Sequence, residues 1–173
     1  MMQVRHYTVL GTLLLAMAAL ALPAATVIAS GFPVADLVVV EKGKRKLHLL
    51  REGAPFRTYD IALGIRPEGD KKQEGDFRTP EGRYLLDSRN PHSEYFLSIH
   101  VSYPNQADRA EAQNIGVPPG GSIMIHGQPN EPTQSETYYR TQDWTNGCIA
   151  VSNSDMIDIW LMTGENTPIE IRP

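Results

Sequence analysis

A single cysteine and a histidine upstream of it are the residues in this chain whose types and spacing could do covalent chemistry. Cys148 lies in the segment Trp-Thr-Asn-Gly-Cys-Ile-Ala, and His126 ends the apolar run Ile-Met-Ile-His. A lone cysteine cannot form a disulfide within its own chain or supply a thiolate-rich metal site. An imidazole that accepts the thiol proton would make Cys148 a nucleophile for acyl transfer, with His126 as its base. The alternative is an inert buried cysteine, since free thiols are commonly buried.

The residues beside this pair suit substrate binding. Gly147 precedes the thiol and permits close approach of a substrate backbone, and the N–H of Cys148 is expected to help stabilise an oxyanion. Asn146 can form hydrogen bonds but cannot exchange a proton at neutral pH. Gly127 follows the histidine directly. We therefore predict that Asn146, Gly147 and Gly127 contact the substrate or its oxyanion.

The sequence carries no pattern typical of a metal or cofactor site. It has five histidines, but no His-x-x-x-His pair and no cluster of cysteine with histidine. We expect no metal ion and no cofactor. His48 and His100 lie in alternating segments and are expected to be ordinary strand residues, with His100 as a minor candidate for the site.

Residues 128–143 form a conspicuous connection between the histidine and the cysteine. This segment is polar and lacks apolar periodicity. Connections of this length in a compact domain are usually lids or binding loops, so we predict that it covers the cleft. Tyr139, Arg140 and Trp144 are its candidate substrate contacts, together with Tyr138. Arg140 either anchors a substrate carboxylate or is an ordinary surface arginine, since loops are polar by default.

Short apolar runs separated by glycine and proline predict a mainly β protein that must position these residues. The first three runs suggest an antiparallel meander. The expected fold is a β-sandwich or barrel of about eight short strands with one or two helices. The predicted strands cover residues 37–40, 46–50, 56–63, 84–86, 96–103, 122–126, 147–151 and 168–171, and the predicted helices cover 106–114 and 152–164.

The first 29 residues predict a secretory signal peptide, because a short basic start precedes an apolar run and a small-residue cleavage site. An uncleaved anchor is the alternative, and it is the only membrane contact we expect. Residues 30–173 are enough for one domain. Removing Arg5 leaves 16 − 1 = 15 basic residues against 20 acidic ones, a net charge of −5. This charge argues against nucleic acid as a partner and offers no polybasic patch for anionic lipid.

Three segments in order resemble the YkuD-type catalytic domain of the L,D-transpeptidases of bacterial cell walls. They are Gly-Asp-Phe-Arg-Thr-Pro-Glu-Gly-Arg-Tyr at 75–84, Ile-His-Gly at 125–127 and Thr-Asn-Gly-Cys-Ile at 145–149. The resemblance covers about residues 35–172. It implies that Cys148 is the acylated nucleophile, that His126 activates it and that Gly147 is the glycine before the nucleophile. For the 75–84 segment it implies a structural turn bordering the cleft.

Three departures from the family pattern concern substrate choice more than the nucleophile. Asn146 replaces the usual histidine, Ala150 replaces the usual arginine, and the interval between His126 and Cys148 is longer than is common. These features resemble a subgroup with a Trp-Thr-x-Gly-Cys-Ile-Ala signature.

The resemblance implies an exported cysteine acyltransferase of the periplasm or cell envelope. It would form a thioester at Cys148 with a peptidoglycan stem peptide and transfer the acyl group to an amine. That amine would belong to a second stem peptide, giving a 3–3 crosslink, or to a lysine of a wall-attached lipoprotein. The alternatives are a hydrolase of the same family, acting as a carboxypeptidase or releasing wall-linked lipoprotein, and a catalytically dead wall-binding module.

Overall fold

The computed structural model describes Met1 and residues 31–173, and residues Phe32–Pro173 form one compact unit. Apart from Met1, the predicted signal peptide at residues 1–29 lies outside the described residues and stays a prediction. In the part of the chain that is described, none of the helices has the length and apolar character that a membrane span requires.

Eight strands and three α-helices are present in residues 31–173, together with a short 3₁₀ helix at Lys42–Lys44. The strands are β1 (Leu37–Glu41), β2 (Lys46–Arg51), β3 (Ala54–Asp60), β4 (Gly82–Ser93), β5 (Phe96–Val101), β6 (Met124–His126), β7 (Ile149–Ala150) and β8 (Thr167–Arg172). The helices are α1 (Gln106–Asn114), α2 (Glu136–Thr141) and α3 (Asn153–Met162).

The strands form one mixed sheet in the order β3-β2-β1-β8-β4-β5-β6-β7. The pairs β1–β8 and β6–β7 are parallel, and the other neighbours are antiparallel. The chain leaving β3 then pairs with the opposite edge, because Ala62 and Ala150 exchange two backbone hydrogen bonds of 2.8 Å. The two edges are therefore joined in a barrel-like closure, and the predicted mainly β fold is confirmed.

The core forms where alternating apolar side chains of the strands meet the buried side of α3. Val38 and Val40 of β1 have no exposed surface, and Ile169 and Ile171 of β8 are buried beside them. The α3 helix adds Met156, Ile159 and Met162. Its first turn is capped as the sequence predicts, since the Ser152 hydroxyl accepts the N–H of Asp155 at 3.1 Å.

Two elements differ from the sequence prediction. Strand β4 is much longer than the predicted 84–86, because register shifts at Leu86/Ser88 and Asn90/Ser93 break the period-two pattern that would reveal it. The segment 128–143 contains α2, which the sequence did not predict. Tyr139 is the buried residue of that helix, so the segment has no apolar periodicity, and its start is marked by the Ser135 cap.

Candidate active site

Parallel pairing of β6 with β7 brings His126 and Cys148 onto one face of the sheet. Ile125 lies opposite Ile149 in the register, and both isoleucines are fully buried. Side chains alternate along a strand, so the residues flanking each isoleucine point to the other face. His126 ends β6 and Cys148 directly precedes β7, so the two flanking residues lie diagonal to each other on that face.

The His126 imidazole is fixed by its backbone neighbour and by two aromatic rings. Its Nδ1 lies 2.7 Å from the Gly127 carbonyl oxygen. A carbonyl only accepts, so Nδ1 carries the proton and Nε2 keeps the free lone pair. The rings of Tyr95 and Trp144 lie 4.7 and 5.6 Å from the imidazole, measured between centroids. Burial lowers the pKa of His126 to about 4, so the ring is a neutral proton acceptor at pH 7.

The chain before Cys148 is folded tightly by a threonine hydroxyl. The Thr145 hydroxyl donates to the Cys148 carbonyl oxygen at 2.7 Å and accepts the N–H of Gly147 at 3.1 Å. Gly147 has φ +126°, in a region that L side chains rarely adopt. This turn presents the half-buried thiol at the start of β7.

The resting thiol points toward a backbone carbonyl. Among the described residues, Cys148 Sγ donates to the Ser122 carbonyl oxygen at 3.6 Å. Burial raises the pKa of the Cys148 thiol, whereas a backbone hydrogen bond from Met124 and the positive charge of Lys71 act in the opposite direction. The structure therefore differs from a preformed ion pair in which the imidazole lowers the thiol pKa. Thiol and imidazole are both neutral at rest, and the proton must move during attack on a substrate.

The loop that contains residues 75–84 packs against the backbone next to the nucleophile. A Cβ on Gly147 would lie 2.6 Å from the Arg78 carbonyl oxygen. A Cβ on Gly64 would lie 2.1 Å from the Phe77 carbonyl oxygen. The loop therefore packs directly on two glycine backbones, and Thr79, which has no exposed surface, lies at its end.

A cleft of about 530 Å³ opens beside His126 and Cys148, and both residues line it. Asn146 is exposed on its rim, and Trp144 forms part of its wall. Gly127 is buried instead, and a Cβ there would lie 2.5 Å from Asn153 Oδ1. Gly127 thus serves close packing and orients the imidazole through its carbonyl group. In residues 31–173 no three His, Cys, Asp or Glu side chains come together as metal ligands would.

Tyr139 and Arg140 are neighbours in α2, and only Tyr139 lies next to the cleft. Tyr139 is buried and lines a second pocket next to the cleft, together with Tyr138 and Trp144. Arg140 lines a separate pocket with Arg45 and other residues, and it contributes to neither pocket around Trp144. The structure does not bring Arg140 to Cys148.

Ala150 has no room for a long side chain. It is 2% exposed and hydrogen-bonded to Ala62 across the barrel closure. The position where the family usually has an arginine is therefore filled by backbone packing.

Three residues of the site were not predicted to belong to it. Tyr95 lies in the turn between β4 and β5, Glu94 precedes it, and Ser122 supplies the carbonyl oxygen that the thiol contacts. Ser122 begins the predicted strand that ends at His126, but its contact with the thiol has no signal in the sequence, and Glu94 and Tyr95 stand in no recognisable motif. Strand pairing of β5 with β6 brings the turn to the histidine, and no local pattern predicts that contact.

The fold and the site define a mainly β protein with a cysteine and a histidine at one cleft. The family described as the L,D-transpeptidase catalytic domain matches residues 35–171. The chain belongs to this family, and the resemblance found in the sequence is confirmed.

Individual relatives agree with this membership. YafK of Escherichia coli (strain K12), which its name assigns to the L,D-transpeptidases, is 38% identical over 72 residues, or 40% of this chain and 27% of YafK. The helical cell shape determining protein Pgp2 from Campylobacter jejuni has a TM-score of 0.60 at 27% identity, covering 78% of this chain and 46% of Pgp2. L,D-transpeptidase 3 from Mycobacterium tuberculosis, solved with a faropenem-derived adduct, has a TM-score of 0.53 at 12% identity over 79% of this chain and 60% of that one, a likeness of fold alone. The chain thus spans about a quarter of YafK and just under half of Pgp2.

Proposed function

We propose that this protein is an exported cysteine acyltransferase that acts on peptidoglycan stem peptides in the cell envelope. The observation that carries the proposal is the placement of Cys148 and His126 on one sheet face, both lining the same cleft. Family membership supports the reaction class, and the predicted signal peptide supports the location. The intact cysteine and histidine argue against a catalytically dead wall-binding module.

In the proposed reaction, Cys148 Sγ attacks the carbonyl carbon of a stem-peptide amide. His126 Nε2 accepts the thiol proton during the attack, because Nδ1 is held by the Gly127 carbonyl. The imidazolium then gives this proton to the departing amine, and the C–N bond breaks. A thioester remains on Cys148, and an incoming amine resolves it.

The burial of the Cys148 thiol and the His126 imidazole keeps both groups uncharged until the first step begins. A neutral thiol and a neutral imidazole carry no charge into the cleft, so the resting site avoids the cost of burying ions. Charge develops as the thiol proton moves to Nε2, when the substrate carbonyl is already in place. The thiol must also turn from the Ser122 carbonyl toward His126.

A second candidate is a hydrolase that uses the same thioester. The observation in its favour is the partial exposure of Cys148 to an open cleft, which admits water as the second nucleophile. The two functions share the acyl-enzyme and differ in what resolves it.

Mass spectrometry of purified disaccharide-tetrapeptides after incubation with the protein tests both. Crosslinked dimers that have lost one terminal residue support transfer, and shortened monomers without dimers support hydrolysis. Replacing Cys148 by Ser should abolish either product while changing the free energy of unfolding by less than about 1 kcal/mol, because the thiol is not a core contact.

Faropenem gives a direct test of the nucleophile. We expect a covalent mass increase on the protein that is absent from Cys148→Ala and strongly slowed in His126→Asn. A folded protein that forms neither an adduct nor any muropeptide product would refute the proposed function. A large loss of stability in Cys148→Ser would instead indicate the buried structural cysteine.

A further inference from the structure

The cleft at Cys148 crosses four neighbouring strands of the sheet. Cys148 directly precedes β7, His126 ends β6, Ser98 lies in β5 and Asn90 lies in β4, and all four residues line the cleft. The sheet places these strands side by side in the order β4-β5-β6-β7. A peptide that runs along the cleft from Cys148 therefore passes over His126 before it meets Ser98.

Ser98 lies directly opposite His126 in the pairing of β5 with β6. The Gly127 N–H donates to the Leu97 carbonyl oxygen at 3.2 Å, so the hydrogen bonds of the ladder flank the Ser98–His126 pair and do not join it. Side chains of such a pair approach closely, with Cβ atoms about 4.5 to 5.5 Å apart. The Ser98 side chain thus stands beside the imidazole, on the strand that lies across β6 from Cys148.

The Ser98 hydroxyl is buried without a protein partner. Ser98 is 4% exposed, and within residues 31–173 its Oγ forms no hydrogen bond. The other two buried hydroxyls of the cleft are occupied, since Ser93 Oγ accepts the Tyr95 N–H at 3.0 Å and Thr145 Oγ1 donates at 2.7 Å within the nucleophile turn.

The unpartnered Ser98 hydroxyl opens into the cleft. In the described part of the chain, the Tyr59 hydroxyl is the one side-chain polar atom that is fully enclosed and lacks a partner. Ser98 Oγ is therefore not enclosed by protein, and the cleft that Ser98 lines is the space it reaches. A nearly buried donor without a partner costs free energy unless a bound group satisfies it. This hydroxyl is placed to bind a substrate atom.

The departing group of the proposed reaction lies on the Ser98 side of the imidazole. The reacting carbonyl carbon contacts Cys148 Sγ, and the departing nitrogen comes within hydrogen-bond reach of His126 Nε2 to take its proton. When a stem peptide loses its last residue, that nitrogen belongs to a residue with a free carboxyl group. The carboxyl group follows the nitrogen along the peptide, past His126 and toward β5.

The described residues that line the cleft include no lysine or arginine. A carboxyl group that passes His126 therefore meets neutral donors, and the Ser98 hydroxyl is the buried one without a partner. A hydroxyl donates to a carboxylate oxygen without placing a charge of its own in the cleft.

We propose that Ser98 binds the residue that departs from the stem peptide, with its O–H donating to a carboxyl oxygen of that residue. This inference rests on the proposed function. The contact fixes the departing residue beyond the scissile bond and so holds its nitrogen at His126 Nε2. Ser98 is thus a substrate-binding residue that selects the leaving group, in addition to the nucleophile and its base.

Ser98→Val and Ser98→Thr form a matched pair, because both side chains are β-branched and suit a strand, and only threonine keeps the hydroxyl. Mass spectrometry follows loss of the terminal residue from disaccharide-tetrapeptide. We expect kcat/KM to fall about tenfold in Ser98→Val and to stay within about threefold of the wild type in Ser98→Thr, as for one lost hydrogen bond to substrate. Ser88→Ala is the control, since Ser88 is exposed on β4 and does not line the cleft.

Alkylation of Cys148 by iodoacetamide separates substrate binding from an effect on the imidazole, because this reagent has no departing residue. Its rate and pH profile should be the same in Ser98→Val and in the wild type. Alkylation that slows as much as turnover, or equal kcat/KM values for Ser98→Val and Ser98→Thr, would overturn the inference. A wild-type protein that leaves the tetrapeptide unchanged would instead refute the proposed function.

Binding to the Cys148→Ser protein tests the contact without turnover. Disaccharide-tripeptide lacks the departing residue and is the matched ligand for disaccharide-tetrapeptide. Adding Ser98→Ala should weaken binding of the tetrapeptide about tenfold in an NMR titration and leave the tripeptide unchanged. The same change for both ligands, or no change for either, contradicts a contact between Ser98 and the departing residue.

Discussion

Replacing His126 by asparagine should remove a pH dependence of folding stability that the buried imidazole creates. Burial lowers the pKa of His126 to about 4 in the folded protein, against 6.5 for an ordinary histidine. The unfolded chain therefore takes up a proton on this ring below pH 6.5, and the folded protein does not. The contribution is fully present above pH 6.5 and is lost as the pH falls toward 4.

The size of the effect follows from the two pKa values. Each pKa unit corresponds to about 1.4 kcal/mol, so the full difference is about 3 kcal/mol, and 2 to 3 kcal/mol of it is lost by about pH 4.5. Carboxylates also titrate in this range, but they do so in both proteins. The difference between wild type and variant isolates the imidazole.

Urea denaturation at about pH 7.5 and pH 4.5 measures this difference. Between the two values the wild type should lose 2 to 3 kcal/mol more than His126→Asn. His92→Asn removes an exposed histidine and should keep the wild-type pH dependence. Equal losses in the wild type and in His126→Asn would show that the ring is not buried in its neutral form, and the neutral resting pair would have to be abandoned.

Two further changes test the support of the nucleophile. Gly147→Ala should destabilise the protein by more than about 2 kcal/mol, because it combines a strained φ with a 2.6 Å contact to the Arg78 carbonyl oxygen. Gly53 has a positive φ but no atom within 4 Å of the position that a Cβ would take, so Gly53→Ala is the control. Thermal denaturation should show a clearly smaller loss of stability for Gly53→Ala. Lys71→Met removes the 2.8 Å ammonium partner of the half-buried Asp76 carboxylate, which keeps three backbone N–H donors, and should destabilise the protein by about 1 to 3 kcal/mol. It should also shift the iodoacetamide alkylation of Cys148 to higher pH, because Lys71 lowers the thiol pKa, and an unchanged alkylation profile would count against that electrostatic role.

Much of the fold was predictable because its strands are short apolar runs with glycine or proline between them. The predicted β1, β2 and β8 lie within about one residue of the observed bounds. Most of strand β4 was not predicted, because its bulges interrupt the alternation of apolar and polar residues. Helix α2 was not predicted, because a helix with one buried residue shows no helical repeat of apolar residues. Helix α3 also ends at Met162, earlier than the glycine at 164 suggested.

Some residues of the site were predictable from the sequence, and others are brought there only by the fold. Cys148 and His126 stand out because each lies beside a buried isoleucine and a glycine. The partners of the thiol, Ser122 and Lys71, are far away in sequence and reach it through loops. Arg140 and Tyr139 are adjacent in sequence and share one small pocket, yet only Tyr139 reaches the pocket beside Trp144.

The sequence by itself determined the family, the β class of the fold and the two residues proposed to do the chemistry, because these depend on local motifs and on alternation within single strands. Only the tertiary structure decided the state of that pair and its surroundings. Burial, which depends on the whole fold, makes the resting cysteine and histidine neutral. Long-range packing of the 128–143 segment against the β4–β5 turn produces the second pocket beside them, with Tyr95, Tyr139 and Trp144 in its wall, and no run of neighbouring residues encodes that contact.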